Sequence, residues 1–119
     1  MTWFLTALLS LFHVNSGIAT RFSEQEGHAA PRWACASKAM HEGQSILSRK
    51  LGQLGHVFAS RNGACWSVRL IWVRGHLALG TRGDWGPGNT ARELDLLDPL
   101  AELLGHDGLE MASWIEVIP

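Results

Sequence analysis

From Cys65 to Val73 the side chains alternate with a period of two. Trp66, Val68, Leu70 and Trp72 share one face, and Ser67, Arg69, Ile71 and Val73 the other. The stretch is rich in β-branched and aromatic residues, so it reads as a strand. Arg74-Gly75 can turn the chain and His76–Leu79 can return it, which predicts a β-hairpin near 65–79. Between His41 and Ala59 the period changes. Ile46, Leu47, Leu51, Leu54, Val57 and Phe58 recur at helical spacing. Gly43, Gly52 and Gly55 interrupt that helix, and each costs about 1 kcal/mol relative to Ala in a helix interior.

Arg61-Asn62-Gly63 reads as a turn, and Gly80–Asn89, with Gly at 80, 83, 86 and 88, as a loop. Thr90-Ala91-Arg92-Glu93 has the capping-box pattern and opens an amphipathic helix near 91–104. Leu96, Leu97, Leu100, Leu103 and Leu104 fall within one arc of it, opposite Asp95, Asp98 and Glu102. Pro99 breaks the ladder, or starts a second short helix after Asp98. Trp114–Ile118 is a candidate closing strand. The sum is an α+β chain: one glycine-interrupted helix, one hairpin and one C-terminal helix. So few elements make a marginal core, and 20–119 reads as a single small domain or a partly disordered chain.

The amino terminus modifies this picture. Trp3–Phe12 is a largely apolar run of secretory h-region length, too short for a membrane span of about 20 residues. Ser16, Gly17 and Ala19 follow as small residues suited to cleavage, so residues 1–19 read as a signal peptide. No Lys or Arg precedes Arg21, so its charged n-region is weak, and a buried segment at a domain edge is the competing reading. A secreted chain follows from the first reading, a cytoplasmic one from the second. In an oxidising compartment Cys35 and Cys65 form a candidate disulfide, worth about 3–4 kcal/mol on the loop-entropy estimate.

Composition narrows the function classes. The 119 residues include six Trp, no Tyr and 13 Gly, with Arg far outnumbering Lys. GC-rich codons favour that usage, which fits equally a GC-rich gene and a reading frame with no selected role. Gly43–Gly83 holds six basic residues (Arg49, Lys50, Arg61, Arg69, Arg74, Arg82) and no acid, whereas Asp84–Pro119 holds eight acids and only Arg92. A basic surface with Trp66 and Trp72 as stacking partners would suit nucleic acid. The near-neutral total of −1 disfavours it, because backbone binding needs a net positive field.

Three short motifs carry resemblances. Arg82-Gly83-Asp84 resembles the integrin-binding tripeptide of adhesion proteins. That resemblance implies an exposed tight turn, with the Arg82 guanidinium on receptor carboxylates and the Asp84 carboxylate on a receptor-bound cation. Integrin is then a partner only if the chain is secreted. Leu100-Ala101-Glu102-Leu103-Leu104 resembles the LxxLL helix that coactivators dock into nuclear-receptor grooves, which implies Leu100, Leu103 and Leu104 on one apolar face and an intracellular location. Gly63-Ala64-Cys65-Trp66 resembles the nucleophile segment of papain-like proteases, but Ala59 and Asn62 stand where that family has its oxyanion Gln and upstream Cys. The chain also ends too soon after Cys65 for that family's His.

The six His are scattered without ligand spacing and no CxxC occurs, so no metal or cofactor motif is present. The sequence therefore predicts no enzymatic constellation and no assignable biochemical function. The expectation is a small uncharacterised protein, with an adhesion ligand and a helix-in-groove binder as the alternatives.

Overall fold

The computed structural model describes residues 14–23, 35, 42–84 and 94–119. Among these described residues six strands and two short helices follow in order: β1 (Asn15–Phe22), α1 (Ile46–Leu54), β2 (Val57–Ala59), β3 (Val68–Val73), β4 (His76–Asp84), β5 (Leu94–Leu97), α2 (Asp98–Leu103) and β6 (Glu110–Ile118). The strands close into one barrel in the order β1-β5-β2-β4-β3-β6. Two neighbouring pairs are parallel, β1 with β5 and β2 with β4, and the rest are antiparallel. The ring is sealed where Asn15–Ala19 pairs with Trp114–Glu110.

This overturns the α+β expectation: the domain is a closed β-barrel. The hairpin near 65–79 exists as β3 and β4, but it is part of the barrel wall and β4 runs on through Asp84. Its turn places Arg74 at φ 47° and Gly75 at φ 88°, both in the left-handed region, as a type I′ turn needs. A non-glycine residue there is held by its side chain, since Arg74 Nε lies 2.9 Å from a Glu110 carboxylate oxygen.

The glycine-interrupted helix shrinks to α1. Ser45 caps its first turn by accepting the Ser48 N–H, and Gly55 ends it at φ 76°. Beyond that glycine, Val57 and Phe58 belong to β2, so the apolar spacing read as one helix spans two elements. The amphipathic helix near 91–104 is corrected likewise. Leu94–Leu97 is strand β5, and α2 starts only at Asp98, with Pro99 in its first turn. The Thr90 capping box lies outside the described residues.

The interior is filled from both the wall and α2. Phe58, Ile71, Leu94 and Leu96 are fully buried, and Leu100 and Leu104 pack with them from α2. Gly80 is what admits Leu100: a Cβ there would lie 2.8 Å from Leu100 Cδ2 and 3.1 Å from Phe58 Cδ1. A second cluster, Phe22, Val57, Ala59 and Leu97, lies apart from the first. His106, 1% exposed, ties α2 to β1: its Nε2 lies 2.9 Å from the Ala19 carbonyl, and its Nδ1 accepts the Gly108 N–H. A closed barrel with a filled interior replaces the marginal core expected from the sequence.

The segment read as a leader overlaps the barrel. β1 begins at Asn15, so a cut after Ala19 would remove five residues that pair with β6. Residues 1–13 lie outside the described residues.

Candidate functional site

Strand β3 turns Arg69 inward beside Ile71 and Val73, at the end of the barrel away from the Arg74–Gly75 turn. Arg69 is 4% exposed. Its guanidinium lies 4.8 Å from the Phe58 ring centroid and 5.8 Å from that of Trp114, within cation–π reach of both. One terminal nitrogen donates to Ser60 Oγ at 3.2 Å and the other to the Asn62 carbonyl at 2.7 Å. Burial pulls its pKa down to about 10, opposed in part by the Glu116 carboxylate and reinforced by Arg82. A cation this deep stays in place because rings and hydrogen bonds replace its water.

The loop after β2 forms the clamp. Ser60 N–H donates to the Asp84 carbonyl, and the Asn62 N–H reaches Ser60 Oγ at 3.3 Å. Gly63 closes the loop at φ 98°, and a Cβ there would stand 2.9 Å from an Arg69 nitrogen. Glycine is therefore required twice over, by conformation and by approach.

A cleft of about 320 Å³ opens over this centre. Ser60, Asn62 and Gly63 line one side, Asn15 and Ser16 of β1 another, with Arg69, Trp114 and Glu116 completing it. Glu116 is exposed at the rim, opposite Arg69 in the β3–β6 register. The cleft thus joins a fixed guanidinium, one carboxylate, two carboxamides and two hydroxyls around an indole. Donors and acceptors alternate within one small volume, and the formal charges of Arg69 and Glu116 cancel.

The residues singled out from sequence lie elsewhere. Arg82 is 1% exposed and Asp84 7%, both inside strand β4, and Arg82 Nε donates to the Ser60 carbonyl at 2.8 Å. Burial lowers the Arg82 pKa, and neighbouring Asp84 opposes that shift. The exposed turn that the integrin tripeptide needs is absent at Arg82-Gly83-Asp84. Leu100 and Leu104 are buried in the barrel core, so only Leu103 of the LxxLL leucines faces solvent. Two of the six basic residues between Gly43 and Gly83, Arg69 and Arg82, are turned inward, which thins the basic surface considered for nucleic acid.

Cys35 and Cys65 are joined by a disulfide with a Cα–Cα distance of 5.5 Å. The Cys35 N–H also donates to the Gly83 carbonyl, and the Trp66 indole N–H donates to the Cys35 carbonyl at 2.8 Å. Trp66 holds φ 63° beside them. A disulfide in this position is compatible with an extracellular location.

Sequence reasoning passed over the cleft. Its one readable signal was Arg69 sharing a face with Ile71 and Val73, a charge on what proves to be the inward side. Among the described residues no group of three or more His, Cys, Asp or Glu could hold a metal ion, and no helix is long and apolar enough to cross a membrane. No protein-family model matches the chain, and no curated protein matches it in sequence.

Proposed function

We propose that the barrel is a secreted binding domain whose cleft holds a neutral, polyhydroxylated ligand such as a short segment of glycan. The clamped guanidinium of Arg69, facing Glu116 and flanked by Asn15 and Asn62, carries the reading. A hydroxyl both donates and accepts, so it satisfies the donors of Arg69 and the carboxamides together with the acceptor oxygens of Glu116 and Ser60. An anion would meet Glu116 and a cation would meet Arg69, so a neutral ligand is the one neither group repels. Trp114 adds an apolar surface for ring C–H groups. A pocket with convergent polar groups and a shifted titratable residue is the usual starting point for a binding site.

Binding is favoured over hydrolysis because Glu116 is the single carboxylate among the described residues lining the cleft, where glycoside hydrolysis ordinarily uses two. Secretion is supported by the disulfide and by the apolar run Trp3–Phe12.

Titrating isotope-labelled protein with neutral oligosaccharides tests the reading. Amide shifts should move at Asn62, Gly63, Arg69 and Glu116, and the Glu116→Ala variant should bind at least about tenfold more weakly, the loss of one charge-assisted hydrogen bond. A folded protein whose cleft amides stay still across neutral glycans, while moving with simple anions, would refute it.

A further inference from the structure

The loop that walls the cleft hangs on the end of β4. Three successive carbonyls there, of Arg82, Gly83 and Asp84, accept the N–H groups of Trp66, Cys35 and Ser60 respectively. Cys65 is bonded to Cys35 through the disulfide, and the Trp66 indole N–H donates to the Cys35 carbonyl at 2.8 Å. Cys35 therefore ties the far end of loop 60–66 to β4. The near end carries the Ser60 hydroxyl and the Asn62 carbonyl that clamp Arg69. Between these ties Trp66 sits at φ 63°, a backbone outlier for a bulky residue, which persists only while its surroundings hold it there.

We propose that the Cys35–Cys65 disulfide is a redox lock on the cleft. With the bond closed, loop 60–66 keeps its ligand-binding shape; reduction by a dithiol opens the loop and leaves the barrel closed. The bond is placed to act on the loop alone. Both cysteines lie outside all six strands, and neither they nor Trp66 belong to either core cluster. The pairing that closes the ring, including the β1–β6 seam, runs through other residues. Once the bond opens, nothing covalent holds the Cys35 carbonyl against the Trp66 indole. Trp66 then relaxes to negative φ and redirects the chain that leads back through Cys65 to Gly63 and Asn62. The clamp on Arg69 loosens, and one side of the cleft moves away.

The exchange has a direction. Cys65 is partly exposed and Cys35 buried, so an incoming thiolate attacks the Cys65 sulfur, and Cys35 departs as a thiolate and takes up a proton. The second thiol of the reductant loses its proton and attacks the reductant's own sulfur in the mixed disulfide. Cys65 then leaves as a thiolate and is protonated in turn. Two electrons pass from the dithiol, which becomes a disulfide, to the protein, which gains two thiols. The effect on ligand rests on the binding reading above; the movement of the loop does not.

Amide spectra and hydrogen exchange of the isotope-labelled full chain test the lock, oxidised and then reduced with dithiothreitol below the melting temperature of the reduced form. Reduction should shift the amides of residues 60–67 and speed their exchange at least about tenfold, while those of Val68–Val73 and Leu94–Leu97 stay protected. Reoxidation should restore the spectrum, and the double variant Cys35→Ser/Cys65→Ser should match the reduced form with or without dithiol. Loop amides that do not move on reduction, or strand amides that lose protection with them, would overturn the proposal. Oligosaccharide affinity separates it from the ligand reading. The reduced chain should bind at least about tenfold more weakly, as when the competent loop falls to about a tenth of the population. Equal binding by both forms sinks the lock. Binding by neither, with the loop moving as described, sinks the ligand reading alone and leaves the lock standing.

Discussion

Replacing Gly80 with Ala tests whether the barrel interior is as full as described. The added methyl would stand 2.8 Å from Leu100 Cδ2, 3.1 Å from Phe58 Cδ1 and 3.3 Å from Ile71 Cδ1. Ordinary carbon contacts lie at about 3.5–4.0 Å, so all three neighbours must give way, Leu100 most. Overpacking of this kind costs typically about 1–3 kcal/mol. Against it stand about 0.8 kcal/mol for burying a methyl and about 0.5–1 kcal/mol for removing a strand glycine. Phe58 and Ile71 are themselves fully buried and have little room to move, so the steric cost falls at the upper end of its range. The expected net loss is about 1–2 kcal/mol. Urea titration with the disulfide intact measures it as a lower midpoint at unchanged slope.

The double variant Gly80→Ala/Leu100→Ala sharpens the test. Leu100→Ala alone should cost about 2–5 kcal/mol, and the methyl at position 80 should recover part of that by entering the cavity. The two losses should therefore sum to more than the double loses, a coupling expected only for side chains in contact. Gly80→Ala as stable as the parent, or losses that simply add, would show that α2 does not plug the barrel at this point.

Other expectations follow from the same geometry. Reducing the Cys35–Cys65 bond, or replacing both residues with Ser, should cost about 3–4 kcal/mol for a span of about 30 residues, read as a lower melting temperature with reductant. An unchanged melting temperature would contradict it. His106→Leu strands the Ala19 carbonyl in a buried site and should cost about 1–3 kcal/mol in the same assay; a neutral result would mean water reaches that carbonyl. Arg69 holds its proton less tightly in the folded chain than in the unfolded one, so above about pH 10 the unfolded state binds more protons. Stability of the parent relative to Arg69→Met should thus be flat near neutral pH and rise as pH climbs above about 10, which urea midpoints at successive pH values would show.

Much of the secondary structure was legible, but the closure was not. The hairpin turn at Arg74–Gly75 and the strand before it follow from local pattern, as does the stop of α1 at Gly55. Leu94–Leu97 could not be resolved by periodicity, since a four-residue apolar run suits a buried strand as well as a helix. Gly80 and Gly83 suggested a loop, yet both lie in β4, and Gly80 is there because Leu100 occupies the space of its side chain. The cleft was least visible: Asn15, Asn62, Arg69 and Glu116 are far apart in the chain and meet only once the strands are in register.

The seam between β1 and β6 also fixes an order of events during synthesis. Asn15 pairs across with Trp114, so this seam cannot close until residue 114 has emerged from the ribosome, after β1 can already meet β5. The bridge from Cys35 to Cys65 needs no such delay, and can staple the middle of the chain while the seam is still open. Contacts this distant in sequence make folding slow, and they place the last strand in the role of a latch.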